Sequence, residues 1–405
     1  MKSPSLGATR RTTLDHDKAR SAIEDLSRFF HTEWYTAQAF QGWPGLPDKR
    51  GQAPTLEQAN EFFLGCCIDY MTKTRIVWEN ARRFCADIVP AEHRKTMWQW
   101  IADHSETDWV RLKGDYRLHR FPQAHVRIHR IANIICSQYD GDVRRVWTDK
   151  SSRPLLAILQ DDLKIGPALS RMVIGALRDH NLVSLDKSDP KPDVHVCRLM
   201  HALGLSSGTS QRVVLTAAQQ LFEDPWKADT ALYLLGAEYE VKSARQFWSV
   251  YDTVKTWERT RSSTQKRIEA VMDGFCEGNQ DWDYESCGTS HWAAVEMYKT
   301  DGRLKKEMEN NLWVWLGVGF NRDIVLWSEV GEYEKYFAPP AVQSVIKHAR
   351  LEHQESRMIG RESWWRESRL DVRKLSGAGY LELHVSRAAG KLKAVIDQVE
   401  VASAA

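Results

Sequence analysis

The feature that most constrains the fold is a nearly continuous helical spacing of apolar residues from Thr55 to about residue 245. In LLAILQDDLKIGPALSRMVIGALRDH (155–180), one helix runs into Ile165-Gly166-Pro167 and a second begins at once. Strand-like alternation of apolar and polar residues does not occur before about residue 310. The chain is therefore predicted to be mainly α, with a helical region over residues 14–245.

A length of 405 residues predicts two domains, and the pattern changes near residue 246. Residues 273–290 are expected to be a loop, and LWVWLGVGFNRDIVLWSEV (312–330) predicts two β-strands around an NRD turn. A third strand is expected at 379–386. Residues 246–405 are thus predicted to form an α+β appendage, and residues 1–13 to be disordered.

The composition, with 42% hydrophobic and 27% charged residues, is typical of a soluble protein. No apolar run is long enough for a membrane span, and MKSPSLGATRRTT does not begin a secretory signal. The seven scattered cysteines favour a reducing compartment over a disulfide framework. We therefore expect a cytoplasmic protein that does not bind membranes, and we expect it to be a monomer.

One basic segment stands out in a chain whose net charge is only +2. Residues 111–130, RLKGDYRLHRFPQAHVRIHR, hold six Lys or Arg residues and one acidic residue, Asp115. Such a cluster is typical of a surface that contacts nucleic-acid phosphates, although an ordinary solvated helix face remains the alternative. The candidate phosphate contacts in this segment are Arg117, Arg120, Arg127 and Arg130.

The tight turn at Ile165-Gly166-Pro167 predicts a second phosphate-binding element. Pro167 suits the first position of a helix, and the first N–H groups of a helix have no partner within it. Such groups can hold a DNA phosphate without reading sequence. A turn of this kind between helices is common, so the motif alone is a weak signal.

The segment KPDVHVCRLMHALGL (191–205) places Asp193 just before a periodic apolar helix. Taken alone, an Asp in this position is usually an N-cap. The hairpin at 160–171 followed by Pro-Asp-Val-His-Val, however, resembles the helix–hairpin–helix (HhH-GPD) superfamily of DNA base-excision glycosylases. Segments 62–84, 139–147 and 223–239 are similar to other parts of that fold, so the resemblance spans about residues 58–245.

The resemblance implies a two-lobed, all-helical glycosylase core and assigns roles to particular residues. It makes Asp193 the catalytic carboxylate and places Tyr70 and Met71 in the turn that often carries a base-displacing side chain. It also makes the hairpin a DNA anchor, whose candidate contacts are Lys164, Ile165, Gly166, Ala168 and Arg171.

The chain departs from the family pattern at two hairpin positions. Lys164 stands where the family usually has glycine, so the hairpin either changes its backbone or holds a costly conformation. Ala168 stands where bifunctional members carry the Schiff-base lysine, which favours a monofunctional enzyme. Cysteines at the spacing of an iron–sulfur cluster are missing, and we expect neither a cofactor nor a metal site.

Aromatic residues beyond residue 246 raise a further possibility. Most of the seventeen tryptophans are expected in the core, but Trp282 and Tyr284 stand in a polar, acidic segment. Packing explains them less easily there. We therefore consider them candidates for a pocket that accepts a flipped or bulky base.

The sequence thus predicts a monofunctional glycosylase that flips a base out of double-stranded DNA, cleaves its N-glycosidic bond and leaves an abasic site. Two alternatives remain, a non-catalytic DNA-binding module and a bifunctional glycosylase/lyase that uses another lysine such as Lys164. The excised base is open and includes the glycosylated cytosines of some phages, which the size of the C-terminal extension slightly favours. Genome repair and defence against foreign DNA are therefore both compatible roles.

Overall fold

A computed structural model of the protein describes most of the chain, namely residues 6–30, 43–47, 49–71, 74–111, 118–148, 154–185, 187–287, 292–300, 312–321, 323–332, 365–371, 374–375 and 377–404. The structure is mainly α, with a small antiparallel sheet near the C-terminus. Within these residues the chain divides after Ser243 into two compact units. The predicted boundary, between residues 245 and 246, lies two residues further along, in the helix that begins unit 2.

Unit 1 is helical throughout its described part. Its α-helices are α1 (Leu6–Phe30), α2 (Leu56–Ile68), α3 (Thr74–Arg83), α4 (Met97–Asp103), α5 (Glu106–Arg111), α6 (Pro122–Tyr139), α7 (Arg145–Thr148), α8 (Leu155–Ala157), α9 (Pro167–Asp179), α10 (Val194–Ala202), α11 (Gln211–Leu221) and α12 (Pro225–Tyr233). Three helices continue into π-helical turns at Phe84–Ile88, Ile158–Asp162 and Leu234–Glu238, and Ala91–His93 forms a 3₁₀ turn.

The first helix corrects the predicted disorder at the N-terminus. Helix α1 begins at Leu6, so residues 6–13 are helical. No proline lies between Leu6 and Phe30, and the apolar spacing that begins at Ile23 buries this end of the helix. The helix extends from that anchored end toward the N-terminus.

Helix α2 lies at the centre of the core of unit 1. Thr55 and Gln58 form a capping box, in which the Gln58 N–H donates to Thr55 Oγ1 at 3.2 Å and the Thr55 N–H donates to Gln58 Oε1 at 2.9 Å. Almost every residue after this cap is buried, including Phe62 and Phe63. A Cβ on Gly65 would lie 2.2 Å from the Trp78 ring, so only glycine lets α3 approach this closely.

Unit 2 contains a five-stranded antiparallel sheet in the order β1-β2-β3-β4-β5. The helices are α13 (Ala244–Gly278) and α14 (Tyr380–Ala404), and the strands are β1 (Trp282–Ser286), β2 (Trp292–Lys299), β3 (Leu312–Asn321), β4 (Asp323–Glu332) and β5 (Trp365–Arg369). Both helices pack on the sheet, and the Arg267 guanidinium joins them by donating to both carboxylate oxygens of Glu382, at 2.6 and 2.8 Å.

The structure confirms the predicted strand pair at 312–330, which is β3 and β4. The predicted third strand at 379–386 is wrong, because these residues begin α14. Leu381, Val385, Leu392 and Ile396 are buried at helical spacing along it. The predicted loop at 273–290 is also wrong, since α13 runs to Gly278 and β1 follows. β1 buries only Trp282 of its five residues, so its sequence carries almost no apolar alternation.

The described residues bear on two expectations from the sequence, the absence of disulfides and the absence of membrane-spanning helices. All seven cysteines are free thiols. Their burial raises the pKa of each thiol, for example to about 12 for Cys67 and about 11 for Cys197. None of the helices in the described ranges combines the length and apolar character that crossing a bilayer requires.

Candidate active site

The hairpin between α8 and α9 turns through a left-handed residue. After the π-helical turn Ile158–Asp162, Lys164 has φ of +54°, and the Ile165 N–H donates back to the carbonyl of Leu159 at 2.8 Å. Gly166 is extended, with φ of −62° and ψ of 156°. The strained conformation expected at the non-glycine position is therefore present at Lys164, which is exposed to solvent.

The start of α9 offers free hydrogen-bond donors. Pro167 has no N–H, and among the described residues no acceptor lies within hydrogen-bond distance of the N–H groups of Gly166 and Ala168. Both residues are partly exposed, whereas Ile165 is buried and anchors the turn. Two free N–H groups at the positive end of a thirteen-residue helix can bind a phosphate oxygen.

Lys164→Gly is expected to stabilise the protein. The substitution removes the cost of a left-handed non-glycine residue, and the gain is about 0.5–1 kcal/mol after the extra entropy of unfolded glycine is subtracted. Urea unfolding measures the change. Asn181→Gly is the matched control, since Asn181 has the same φ of +54° but tolerates it better. A lower unfolding midpoint for Lys164→Gly would show that the lysine side chain contributes more than the strain costs.

Arg171 does not point freely outward from the hairpin, as a phosphate contact would. Its side chain is only 13% exposed, and its Nε donates to Asp189 Oδ2 at 3.2 Å. A second nitrogen donates to the carbonyl of Pro167 at 3.1 Å, and Gln219 Nε2 holds the other oxygen of Asp189 at 2.8 Å. Arg171 therefore braces the start of α9 against the loop that precedes α10.

Asp193 is the N-cap of α10. Its Oδ1 accepts hydrogen bonds from the N–H groups of His195 at 2.8 Å and Val196 at 2.9 Å. Within the described part of the chain, its Oδ2 has no hydrogen-bond partner. One carboxylate oxygen of Asp193 thus caps the helix, and the other oxygen is available for another interaction.

Lys191, two residues before Asp193, lies in a buried pair that the sequence did not indicate. Its Nζ donates to Asp69 Oδ2 at 3.2 Å and lies 3.3 Å from Met172 Sδ. The side chains of Lys191 and Asp69 are 13% and 4% exposed. Burial lowers the pKa of Lys191, but the carboxylates of Asp69 and Asp193 raise it by more, so its pKa lies above the ordinary value and the amine is charged.

A second buried carboxylate faces the same loop from α12. Asp229 accepts a hydrogen bond from the Lys191 backbone N–H, and its Oδ1 has no partner among the described residues. Burial, and then the charge of Asp193, raise the pKa of Asp229 well above its usual range. Burial therefore disfavours the charged form of Asp229 beside an ion pair.

The turn after α2 carries the predicted base-displacing residues. Met71 is left-handed, with φ of +51°, and its side chain is 70% exposed. Arg120 donates to the carbonyl of Met71, and His119 Nε2 donates to the carbonyl of Tyr70 at 2.8 Å. The Tyr70 ring lies between His119, at 4.4 Å, and the Arg127 guanidinium, at 4.3 Å. The turn is therefore held rigidly, with one apolar side chain projecting from it.

The four candidate arginines of the basic segment have different surroundings. Arg117 lies outside the described residues. Arg120 and Arg127 support the 69–71 turn, Arg127 by donating to the carbonyl of Cys67 at 3.0 Å. Arg130 is exposed on α6. Among the three arginines that the structure describes, Arg130 is the one with the outward placement that the phosphate hypothesis requires.

Trp282 and Tyr284 belong to β1 of unit 2. Trp282 is 2% exposed and packs edge-on against Phe275, so it presents no face on which a base could stack. The Tyr284 hydroxyl donates to Asp273 Oδ1 at 2.7 Å. Packing and hydrogen bonding within unit 2 account for both residues, which removes the reason for assigning them to a base pocket.

The structure therefore places Lys191, two residues before Asp193, against Asp69, the residue that precedes Tyr70 and Met71. Within the described ranges, no cluster of His, Cys, Asp and Glu has the arrangement of a metal site. Comparison with protein-family models, with curated proteins and with solved structures finds no match to this chain. The residues themselves carry the functional proposal.

Proposed function

We propose that the protein is a monofunctional DNA glycosylase. The observation that carries the proposal is the carboxylate of Asp193, which has one oxygen fixed by two backbone N–H groups and the other without a partner among the described residues. An exposed Met71 lies on a rigid turn tied to the same site by a buried ion pair. A fixed carboxylate, linked through that pair to a turn with a projecting apolar side chain, suits removal of a base that has left the helical stack.

The proposed chemistry needs no covalent intermediate with the protein. The bond between C1′ and the base nitrogen breaks, its electron pair leaves with the base, and positive charge develops on the deoxyribose. Ionised Asp193 stabilises that charge and orients a water, whose oxygen then bonds to C1′. One proton of that water passes to the carboxylate or to solvent, and the departing base takes up a proton at its nitrogen.

Other elements would bind and distort the DNA. The free N–H groups of Gly166 and Ala168 would hold a backbone phosphate, helped by the exposed charge of Lys164. Met71 would fill the gap that the flipped nucleotide leaves, which offsets part of the unstacking cost. None of these contacts reads sequence, so selection of the base is assigned to the residues around Asp193.

The lysines near the site favour hydrolysis over a lyase reaction. A Schiff base requires a neutral amine, and Lys191 is held in its charged form beside Asp69. Ala168 leaves the hairpin without the family's nucleophile. A lyase reaction would therefore depend on an exposed residue such as Lys164.

The test uses duplex oligonucleotides that each carry one altered base. The panel includes uracil, hypoxanthine, 7-methylguanine, 8-oxoguanine, 5-hydroxymethylcytosine and glucosylated 5-hydroxymethylcytosine. We expect strand breaks only after alkali, and none with Asp193→Asn. Breaks without alkali together with borohydride trapping would support the lyase alternative. Binding of the duplexes without any abasic product, unchanged in Asp193→Asn, would support the non-catalytic module.

Met71→Ala is expected to slow base release from paired DNA without unfolding the protein. The side chain is 70% exposed, so its loss should change stability by less than about 0.5 kcal/mol. Release from a fully paired duplex should slow about tenfold, because unstacking costs a few kcal/mol that the side chain no longer offsets. Release from single-stranded DNA should be unchanged.

Leu383→Ala is the control for this prediction, since Leu383 is also exposed but lies in unit 2. Leu383→Ala should alter neither the rate of base release from paired DNA nor the rate from single-stranded DNA. Equal slowing of Met71→Ala on paired and single-stranded substrates would show that Met71 does not act in base displacement.

A further inference from the structure

Lys191, in the loop that leads into α10, makes contacts in several directions. The Asp193 N–H donates to the Lys191 carbonyl at 2.7 Å, and the Lys191 N–H donates to Asp229 of α12. The Lys191 side chain reaches Asp69 at the end of α2 and Met172 on α9, and its ammonium lies 5.8 Å from the Tyr233 ring. Lys191 thus touches three helices besides the one that Asp193 caps.

We propose that Lys191 is the positioning residue of this site. Its ammonium holds the start of α10, and with it the carboxylate of Asp193, against the turn that carries Tyr70 and Met71. Lys191 itself touches no reacting atom in this assignment. The inference rests on the proposed function only in taking Asp193 as the catalytic group.

The geometry links the placement of Asp193 to the base-displacing turn, two functions that would otherwise be independent. Asp69 directly precedes Tyr70 and Met71, so the residue that anchors Lys191 also begins the base-displacing turn. A buried charge pair tolerates little separation, because each charge would then be left uncompensated in an apolar setting. Displacement of the turn by DNA would consequently be transmitted to Asp193 through Lys191.

The ammonium also supplies positive charge next to the Asp193 carboxylate. The other titratable groups around this loop are Asp69 at the end of α2, Cys66 of α2, Asp229 and Tyr233 of α12, and Cys197 and His195 of α10, the last with its ring 6.1 Å from that of Tyr233. The carboxyl, thiol and phenol groups among them carry no positive charge. Lys191 is the cation that contacts Asp69 directly.

The test compares Lys191→Met with Lys191→Arg, and with Lys187→Met as the control on an exposed lysine of the same loop. Methionine keeps the length of the side chain and removes the charge. We expect amide hydrogen exchange across residues 192–200 to accelerate about tenfold in Lys191→Met, because the cap on α10 loosens. The exchange rates in Lys191→Arg should stay within about twofold of those in the parent protein, and the exchange rates in Lys187→Met should match those in the parent protein.

A second measurement separates positioning from mere stability. The single-turnover rate of base release should fall about tenfold in Lys191→Met, because the carboxylate is misplaced, and be restored in Lys191→Arg. Affinity for a duplex with a tetrahydrofuran abasic analogue should change less than the rate. If Lys191 only stabilised the fold, the affinity and the rate would fall together.

The outcomes distinguish this inference from the proposed function. If the parent protein releases no base from any duplex, the glycosylase proposal fails, and hydrogen exchange still tests whether Lys191 holds the start of α10. If base is released and requires Asp193, but Lys191→Met keeps both the exchange rate and the single-turnover rate of the parent protein, the positioning role is overturned.

Discussion

Asp193→Asn is expected to lower the single-turnover rate of base release by about 10²–10⁴-fold, the range for losing a charged catalytic group. Asparagine keeps the shape of the side chain, and it caps helices as well as aspartate does. The hydrogen bonds from the N–H groups of His195 and Val196 can therefore persist. What disappears is the negative charge that would face C1′ in the transition state.

The two roles of Asp193 separate cleanly in this variant. Urea unfolding of Asp193→Asn should differ from the parent protein by less than about 1 kcal/mol. Binding to the duplex with the tetrahydrofuran analogue should also persist, because that duplex has no base to release. Ser210→Ala removes another N-cap, that of α11, and serves as the control for cap loss alone. A normal rate of base release in Asp193→Asn would show that Asp193 acts only as a helix cap.

Lys191→Met is expected to destabilise the fold by about 3–5 kcal/mol, the cost of leaving one partner of a buried ion pair uncompensated. The partner left behind is Asp69, whose side chain is 4% exposed. The double variant Asp69→Asn/Lys191→Met removes both charges and should recover most of this loss, since the surroundings of the ammonium include Met172. Urea unfolding of the single and double variants measures both effects.

Catalysis should not recover together with stability. The double variant restores a neutral, packed interior but not the positive charge beside Asp193. It should therefore remain slow in base release although it is folded. The exposed ion pair of Lys255 and Glu258 on α13 gives the matched control, because breaking it should cost less than about 1 kcal/mol. A double variant as unstable as Lys191→Met would show that the ion pair does not cause the loss.

The parts of the site that could be predicted from sequence are those encoded within a few residues. Gly166 and Pro167 signal the start of α9, and Asp193 before an apolar helix signals a cap. For Lys164 the sequence left two outcomes open, a changed hairpin backbone or a costly conformation, and the residue is left-handed. Each of these features depends on local backbone geometry, which short patterns describe well.

The pair of Asp69 and Lys191 could not be predicted in this way. The two residues are 122 positions apart, and each sits in a segment with no unusual charge pattern. Asp229 lies on a short helix in which most residues are buried, and the nine residues of that helix show no period that sets Asp229 apart. Long-range packing decides which polar side chains become buried, and periodicity does not report that.

The errors in unit 2 have a related cause. LELHV at the start of α14 alternates like a strand, but the buried residues continue at helical spacing far beyond it. β1 is at the edge of the described sheet, where it pairs with β2, and most of its side chains face solvent. Short or one-sided elements carry too few apolar positions to reveal their period.

The seven free thiols, three of them buried and four partly exposed, give the protein its own reporters of local opening. Thiolates, and not thiols, react with alkylating reagents, and desolvation raises the pKa of all seven thiols, which slows that reaction in the folded state. Five of the cysteines lie in unit 1 and two, Cys276 and Cys287, in unit 2. Pulsed alkylation followed by peptide mass spectrometry would therefore time the opening of each unit separately. Cys66 and Cys197 would report on the two sides of the candidate site without any engineered label.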